Sequence, residues 1–383
     1  GRIAKKYCKK VIVTDDNPRN ENPKDIRNQI MKGCNKVGIN IADRKKAINL
    51  AVNKLKENEI LLVAGKGHEQ TQDFGKKIKI FSDKKIIKEA VKKIKNKKRN
   101  LWYEYLAKKS LNQNNLSNIN YNGVSINTKN IKAKNLFFAL KGKNTDGHYF
   151  ARQAVKKGAI KLVISRKISK ISNHKTIKVK NTFSALNNLA KVTRDNTSAQ
   201  IIGVTGSVGK TTVKNLIAHA LKSYGKIYCS PHSYNNKIGV PLSICNLKKE
   251  TDYGIFEIGM DKKGEIDNLS KIAKPQVAII TNISGAHFKN FSSLKGIANA
   301  KSEIIDNVLK EGTVVLNKDD KFFNFFYDKA KKRKLNIVSF SYKKKADIYL
   351  SNIKKKKNFY ILKIYVKGKI YYFNTKHFTQ NIV

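Results

Sequence analysis

The sequence contains few cysteines, few acidic residues and no long apolar run. Its four cysteines form no Cys-x-x-Cys pair and their spacings match no zinc site, so we expect free thiols in a reducing cytoplasm. No apolar run reaches the ~18 residues that a membrane-spanning helix needs, and no signal-peptide core follows Gly1. We therefore predict a cytoplasmic protein without membrane insertion. Because the chain does not begin with Met, we also expect it to be a piece of a longer protein.

The shortage of acidic residues gives the chain a strong positive charge. Lys and Arg number 80 against 27 Asp and Glu, so the formal net charge is +53. Only nine of these cations are Arg, whereas nucleic-acid-binding proteins favour Arg and gather their basic residues on one face. Lys is instead spread along the whole chain beside abundant Asn and Ile, a composition typical of an AT-rich genome. We therefore predict no specific nucleic-acid partner, but a general attraction to polyanions such as nucleotides.

Apolar segments alternate with helix-length stretches along a chain that is long enough for two or three domains. Strands are predicted at 11–13, 60–64, 135–140, 201–205, 253–258, 276–281 and 313–316, and helices at 44–55 and 82–94. This pattern predicts a multidomain α/β fold with a doubly wound sheet in its last part. A basic run at 92–99, either a helix end or a linker, marks the first boundary, so we predict domains 1–98, 99–198 and 199–383.

The strongest local motif is a variant phosphate loop, TGxxGKTT, that begins at the end of the strand predicted at 201–205. Its glycines allow backbone N–H groups to surround phosphate oxygens, while Lys210 supplies a positive charge and the Thr211 hydroxyl can hold Mg²⁺. The common form of the motif has a further glycine where this chain has Val204. We predict nucleotide binding by the following residues of the loop: Thr205, Gly206, Ser207, Gly209, Lys210, Thr211 and Thr212.

Two polar side chains follow other predicted strands. Glu257 comes at the end of the strand at 253–258, and His287 lies shortly after the strand at 276–281. In a doubly wound sheet such positions converge at the carboxyl edge, beside the phosphate loop. We therefore predict Glu257 as a Mg²⁺ ligand and His287 as a second, although either residue alone is more often structural.

Several motifs in the last part of the chain resemble the Mur ligases, the ATP-dependent amide-forming enzymes of peptidoglycan synthesis. They are TGSVGKTT at 205–212, YNNKIGVP at 234–241, EIGM at 257–260, TNI at 281–283, IANAKSEI at 297–304 and, less closely, HFTQN at 377–381. The set is most similar to the family member that adds D-alanyl-D-alanine to UDP-N-acetylmuramoyl-tripeptide. The resemblance implies a central P-loop ATPase-type domain whose C-terminal neighbour, the domain that receives the dipeptide, is missing from this chain.

The resemblance also implies cofactors and site residues. ATP and Mg²⁺ are the implied cofactors, with ATP contacts that extend to Asn282, His377 and Asn381. The implied catalytic residues are Lys210, Lys301 and His287, and the implied metal ligands are Thr211, Glu257, His287 and Lys301. In this family the lysine that matches Lys301 is carbamylated by CO₂. The implied reaction activates the tripeptide carboxylate as an acyl phosphate, which the amine of D-alanyl-D-alanine then attacks.

The middle part of the chain resembles the small α/β domain of the same enzyme that binds the UDP-sugar. The motifs are GVSINTK at 123–129, LFFALKG at 136–142 and DGHYF at 146–150. Where the family has Asp-Ser/Thr-Arg, this chain has Asn127, Thr128 and Lys129. The implied UDP-sugar-binding residues are Ser125, Asn127, Thr128, Asn235 and Asn236.

The first part of the chain resembles the Rossmann-like C-terminal domain of a different member, the preceding ligase of the pathway. The motifs are DNPR at 16–19 and GKGHE at 65–69, and the first goes with meso-diaminopimelate in this family. The implied ligand-binding residues are Asn17, Arg19, Gly65 and Glu69, in which Arg19 meets a carboxylate and Glu69 an ammonium group. The chain is therefore expected to join the end of one ligase to the beginning of the next.

Two alternatives stay open at this point. The first part of the chain could be a remnant that only tethers the downstream enzyme. The whole chain could instead be a P-loop ATPase that acts on nucleic acid, in view of its +53 charge.

Overall fold

The computed structural model describes residues 1–34, 37–56, 58–112, 121–232, 234–285, 291–342 and 344–376, and of residues 96–101 the backbone only. The chain divides into two compact units, Gly1–Leu101 and Trp102–Val383. Both mix helices with parallel strands, so the predicted multidomain α/β class is confirmed. In the described part of the chain, no helix has the length and apolar character needed to cross a bilayer.

The first unit combines a parallel strand pair, a β-hairpin and helices. Strand β1 (Val11–Val13) pairs with β2 (Gly38–Asn40), and β3 (Thr71–Asp73) pairs with β4 (Ile78–Ile80). The helices are α1 (Arg2–Tyr7), α2 (Pro23–Cys34), α3 (Arg44–Lys54) and the first part of α4 (Asp83–Leu111). Asp43 caps α3 by accepting a hydrogen bond from the Lys46 backbone N–H at 2.9 Å. The buried core consists of Ile48, Val52, Ile86 and Ala90, from α3 and α4.

The strand predicted at 60–64 is wrong. Ile60 is 96% exposed and Leu62 is 78% exposed, whereas Leu61 and Val63 pack against the core of the unit. The segment is not assigned to a strand and pairs with no other strand among the described residues. A continuous apolar run predicted a strand buried on both faces, but the side chains alternate between core and solvent. The expected Rossmann-like domain accordingly has two parallel strands in its described part.

Helix α4 begins where the sequence predicted but ends much later. Its start is capped by Ser82, whose Oγ accepts a hydrogen bond from the Lys85 backbone N–H at 3.4 Å. The helix was predicted to end near residue 94, yet it runs for 29 residues through the basic run at 92–99. That run contains neither Gly nor Pro, so no residue in it breaks a helix. The two units divide within α4, between Leu101 and Trp102.

The second unit begins with a four-stranded parallel sheet. Its strands, in sheet order, are β5 (Gly123–Ser125), β6 (Asn135–Phe138), β7 (Lys161–Ile164) and β8 (Thr176–Lys178). Helices α5 (Ala151–Lys156) and α6 (Thr182–Asn196) accompany them. Successive side chains of β6 point to opposite faces, so Phe137 joins a core with α5 while Phe138 joins the main core of the unit with α6.

The rest of the second unit is built on a nine-stranded sheet. Its strands are β9 (Gln200–Thr205), β10 (Ile227–Cys229), β11 (Tyr253–Glu257), β12 (Val277–Ile280), β13 (Thr313–Asn317), β14 (Asn336–Ser341), β15 (Ile348–Lys355), β16 (Tyr360–Val366) and β17 (Lys369–Thr375). The helices are α7 (Lys210–Ala220), α8 (Gly239–Cys245), α9 (Glu265–Ala273), α10 (Leu294–Asp306) and α11 (Phe323–Lys332). The four strands predicted in this part are present as β9, β11, β12 and β13.

The strand order explains where a ligand site lies. The order is β10-β11-β9-β12-β13-β14-β15-β16-β17, with parallel pairing from β10 to β15 and antiparallel pairing beyond. After β9 the chain crosses to one side to form β10 and β11, and then to the other side to form β12. Such a switch point opens a crevice at the carboxyl ends of the strands. The phosphate loop follows β9 directly and therefore lies at this crevice.

Candidate nucleotide-binding site

The phosphate loop connects β9 to α7 through two glycines with positive φ. Gly206 has φ 145° and Gly209, the N-cap of α7, has φ 84°. A Cβ atom on Gly206 would lie 1.9 Å from the Thr281 hydroxyl oxygen, so no larger residue fits there. The loop therefore keeps the tight curve by which backbone N–H groups surround a phosphate at a helix N-terminus.

The segment after β12 forms one wall of the loop. The Ser207 N–H donates to the Asn282 carbonyl oxygen at 2.8 Å, and the Val208 N–H donates to Asn282 Oδ1 at 3.0 Å. Thr281 Oγ1 donates to the Val208 carbonyl oxygen at 2.6 Å. Asn282 thus lies at the loop, as predicted, whereas Thr281 was not identified from the sequence. Its position directly after β12 was the available signal.

Glu257 and Thr211 meet at the edge of the sheet. The Thr211 hydroxyl donates to Glu257 Oε2 at 2.6 Å, and Asn235 Nδ2 donates to Glu257 Oε1 at 2.7 Å. Glu257 is only 2% exposed. In nucleotide sites Mg²⁺ is held by one or two protein oxygens together with substrate phosphates and water. The hydroxyl and carboxylate oxygens beside the loop therefore fit a Mg²⁺ ion.

Lys210 lies over the loop that precedes it. Its Nζ donates to the carbonyl oxygens of Gly206 and Ser207 at 2.8 and 3.2 Å. Burial lowers the pKa of Lys210, and the nearby Glu257 carboxylate opposes that effect. The neighbouring Thr212, also predicted for the loop, is exposed on the first turn of α7.

Lys301 is a fully buried lysine on α10. It has no exposed surface, and its Nζ has no hydrogen-bond partner among the described residues. Burial, aided by the positive charge of Lys210, lowers the pKa of Lys301 to about 7. The Thr205 hydroxyl at the start of the loop is also buried without a partner. Burial of an amine without a hydrogen-bond partner costs free energy, so Lys301 is a candidate for a chemical role.

Three of the predicted site residues lie outside the described part of the chain, namely His287, His377 and Asn381. Among the described residues, no group of three or more His, Cys, Asp or Glu side chains could hold a metal ion. Of the residues predicted as metal ligands, the structure brings together the side chains of Thr211 and Glu257.

The residues predicted to bind the UDP-sugar lie at two places in the second unit. Ser125, Asn127 and Thr128 follow β5, where Asn127 Oδ1 accepts from the Lys129 N–H at 2.8 Å and Thr128 Oγ1 donates to Gln153 Oε1 at 2.7 Å. Asn235 instead contacts Glu257. Asn236 lies three residues before α8, and its Oδ1 accepts from the N–H groups of Ile238 and Gly239 at 3.1 and 2.9 Å.

In the first unit, two of the residues predicted to bind diaminopimelate, Asn17 and Glu69, contact a buried lysine. Lys66 is 1% exposed, and its Nζ donates to Asn17 Oδ1 at 2.7 Å and to Glu69 Oε2 at 3.3 Å. Asn17 Nδ2 donates to the same Glu69 oxygen at 2.8 Å, and these bonds lower the pKa of Glu69. Arg19 is exposed, with φ 52°, and Gly65 has φ 115°. Lys66 stands within the GKGHE motif but was not predicted as a site residue.

Two further residues near the phosphate loop were also missed. Lys214, one turn after Lys210 on α7, is buried and binds the segment after β10. Asp320 Oδ2 accepts from the Ile283 N–H at 2.6 Å and so holds the wall of the loop beside Asn282. Both contacts join residues far apart in the sequence, which gave no local signal for them.

Comparison with known families matches three models along most of the chain. The Mur ligase middle domain matches residues 204–382, the catalytic domain of the Mur ligase family matches 120–194, and the glutamate ligase domain of Mur ligases matches 1–67. The phosphate loop, Glu257 and Lys301 all fall within the middle-domain match.

Individual relatives are similar to more than half of this chain. The UDP-N-acetylmuramoyl-tripeptide–D-alanyl-D-alanine ligases of Rickettsia prowazekii and Escherichia coli are 37% and 36% identical over 227 and 204 residues, which is 59% and 53% of this chain. These matches cover 50% and 45% of the relatives, so the chain spans about half of their length.

Two solved structures of MurF are similar to this chain. MurF from Acinetobacter baumannii has a TM-score of 0.65 and 27% identity, covering 73% of this chain and 61% of that one. MurF from Thermotoga maritima, in complex with ADP, has a TM-score of 0.59 and 27% identity, covering 70% and 61%. Family models, relatives and fold agree with the motifs around the phosphate loop, and the chain belongs to the Mur ligase family.

Proposed function

We propose that this chain contains the nucleotide-binding centre of an ATP-dependent ligase that adds D-alanyl-D-alanine to UDP-N-acetylmuramoyl-tripeptide in the cytoplasm, where ATP is supplied. The observation that carries the proposal is the meeting of Lys210, Thr211 and Glu257 at the sheet switch point. The named relatives support the substrates. An ATPase that acts on nucleic acid is not supported, because the matching families and relatives are ligases.

The chemistry requires activation of a carboxylate, which is a poor acylating agent. The terminal carboxylate of the tripeptide attacks the γ-phosphorus of ATP and forms an acyl phosphate, with ADP as the leaving group. The dipeptide amine then attacks the acyl carbon and loses a proton, and inorganic phosphate leaves. Backbone N–H groups of the loop and the Lys210 ammonium group stabilise the negative charge on the transferring phosphoryl group.

Thr211 and Glu257 would hold Mg²⁺ next to the phosphates. When bound, Mg²⁺ offsets the charge that gathers on the β- and γ-phosphate oxygens. Asn235 holds one carboxylate oxygen of Glu257 and so fixes how the other oxygen meets the Thr211 hydroxyl.

Lys301 is our candidate for the carbamylated lysine of the family. Its amine is buried and unpartnered, which favours the neutral form that can attack CO₂. The reaction forms a bond between Nζ and the carbon of CO₂ and releases a proton. It thereby converts a buried neutral amine into an anionic group of the kind that Mg²⁺ prefers.

For the first unit we propose the amino-acid-binding role of the preceding ligase, with the zwitterionic end of meso-diaminopimelate as ligand. Glu69 would meet the ammonium group and the exposed Arg19 the carboxylate, with Asn17 between them. The glutamate-ligase-domain match lies ahead of the other two matches, which is the order expected of a fused pair of ligases.

Phosphate release from ATP tests the main proposal. The complete reading frame that encodes this chain is assayed with UDP-N-acetylmuramoyl-tripeptide, with D-alanyl-D-alanine either added or omitted. We expect release that requires both substrates and is lost in Lys210→Ala. Release that ignores both substrates but rises with added DNA or RNA would refute the ligase function.

A further inference from the structure

We propose that Lys214 is a positioning residue for the metal side of the nucleotide site. Its ammonium group holds the segment at 230–232, and through that segment it fixes Glu257 and Asn235. This inference rests on the proposed nucleotide-binding function and assigns a task to a residue that does not itself touch the nucleotide.

The environment of Lys214 is unusual for a lysine. The residue is 1% exposed on α7, and its Nζ donates to the carbonyl oxygens of Ser230 and His232 at 2.6 and 2.8 Å. An ammonium group pays a large desolvation cost on burial, which hydrogen bonds only partly offset. An apolar side chain of similar length would fill the same space without that cost. The positive charge of Lys214 is therefore explained better by the backbone segment that it binds than by a contribution to the stability of α7.

Residues within and shortly after the 230–232 segment form hydrogen bonds with Glu257 and its neighbours on β11. The Ser230 N–H donates to the Ile255 carbonyl oxygen at 3.0 Å, and Ser230 Oγ accepts from the Glu257 N–H at 3.4 Å. Farther along, Asn235 Nδ2 donates to Glu257 Oε1, and the Asn235 carbonyl oxygen accepts from the Gly259 N–H at 2.8 Å. Ser230, within the segment, thus contacts the Glu257 backbone, and Asn235, three residues after the segment, contacts the Glu257 side chain.

The phosphate-binding groups have their own support. Lys210 bonds to carbonyl oxygens of the loop, and the loop is braced by Thr281 and Asn282, none of which bonds to the 230–232 segment in any contact described above. Loss of the Lys214 ammonium group should therefore loosen Glu257 and Asn235 while leaving the phosphate cradle intact. We therefore expect Mg²⁺ to raise the nucleotide affinity by less than in the unsubstituted chain. The affinity measured without Mg²⁺ should stay the same.

Binding of a fluorescent ADP analogue, measured with excess MgCl₂ and again with EDTA, tests this separation. The variant is Lys214→Met, and the matched control is Lys222→Met, an exposed lysine in the turn after α7. For Lys214→Met we expect the Mg²⁺-dependent gain in affinity to fall by about tenfold, as is typical when support for a metal ligand is removed. Affinity in EDTA should be unchanged, and the control should match the unsubstituted chain in both conditions.

The outcomes separate the two proposals. If the unsubstituted chain does not bind the analogue, the proposed function fails. If it binds and Lys214→Met keeps the full Mg²⁺ gain, or loses affinity equally with and without Mg²⁺, the positioning role is overturned. Lys214→Gln, which keeps one uncharged donor, carries the test if the Met variant does not fold, and should show a smaller loss of the Mg²⁺ gain. Failure of both variants to fold would make Lys214 a residue of general stability and overturn the proposal.

Discussion

Gly206 and Gly209 stand three residues apart in the phosphate loop, yet they are required for different physical reasons. At Gly206 a side chain has no room, because a Cβ would lie 1.9 Å from Thr281 Oγ1. At Gly209 nothing lies within 4 Å of such a Cβ, and only the φ of 84° disfavours other residues. Both glycines have a positive φ, and a steric cause is added at the first glycine only.

The two causes predict different results for alanine. Gly206→Ala should abolish measurable ADP binding, because the loop must move away from Thr281 and lose the Thr281–Val208 hydrogen bond. Gly209→Ala should keep binding in weakened form, with a strain of about 1–2 kcal/mol at the left-handed position. Isothermal titration with ADP, together with urea unfolding of both variants, measures the difference. Equal losses of binding in the two variants would contradict this account.

At the scale of single residues, the sequence predicted which polar side chains meet at the phosphate loop, but not which residues hold them in place. Lys210, Thr211 and Glu257 were predictable because each follows a strand or stands in a loop motif, and such positions converge at one sheet edge. Thr281, Lys214 and Lys66 each contact residues distant in the sequence, and the motifs that contain Thr281 and Lys66 do not reveal those contacts. Asn235 was assigned to the UDP-sugar from resemblance, while its observed contact is with Glu257.

At the scale of secondary structure, the helix α6 is tied to the sheet by one buried arginine. Arg194 is 6% exposed; its Nε donates to the Ala273 carbonyl oxygen and its Nη2 to the Lys274 carbonyl oxygen, both at 2.6 Å. Nη2 also donates to Gln276 Oε1 at 3.0 Å, and the same oxygen accepts from the Ile201 N–H at 2.7 Å. The guanidinium group therefore joins α6, the C-terminus of α9 and the beginning of β9.

Replacing this arginine by lysine should be costly although the charge is kept. A lysine has no planar fork, so we expect Arg194→Lys to leave buried carbonyl oxygens unpaired and to lower the free energy of unfolding by about 2 kcal/mol. Arg152→Lys is the matched control, since Arg152 is exposed and bonds to the Ser169 carbonyl oxygen at 3.1 Å. It should change stability by less than about 0.5 kcal/mol. Urea unfolding at one pH compares them, and similar values for both variants would refute the role of Arg194.

The errors in the predicted strand at 60–64 and in the predicted end of helix α4 have physical causes. The segment at 60–64 is apolar enough for a strand, but strand formation needs a hydrogen-bonding neighbour, which a local pattern does not reveal. Helix α4 was predicted to stop at the basic run at 92–99, but repulsion among neighbouring lysines costs only a few tenths of a kcal/mol per pair. Without Gly or Pro, that cost does not end a helix.

At the scale of the whole molecule, the α/β class was predictable because strands and helices alternate along the sequence. The switch point at β9 could also be predicted from the sequence, since a phosphate loop marks it in a doubly wound sheet. The strands β14 to β17 were not predicted. The last three form an antiparallel extension with exposed apolar side chains on β17, such as Tyr372 and Phe373, so they lack the burial pattern of the central strands.

The net charge of +53 leads to a last prediction, about stability in salt. With 27 acidic residues for 80 cations, most lysines have no acidic residue of their own to pair with, and they repel one another in the folded state. The Debye length falls from about 30 Å at 0.01 M salt to about 8 Å at 0.15 M, so added salt screens this repulsion. We therefore expect the unfolding temperature to rise when NaCl is increased over that range, and to change little when an uncharged solute of equal osmolality is added instead. Differential scanning fluorimetry measures both, and an unfolding temperature that stays constant or falls with NaCl would mean that the lysines are spaced widely enough to avoid repulsion.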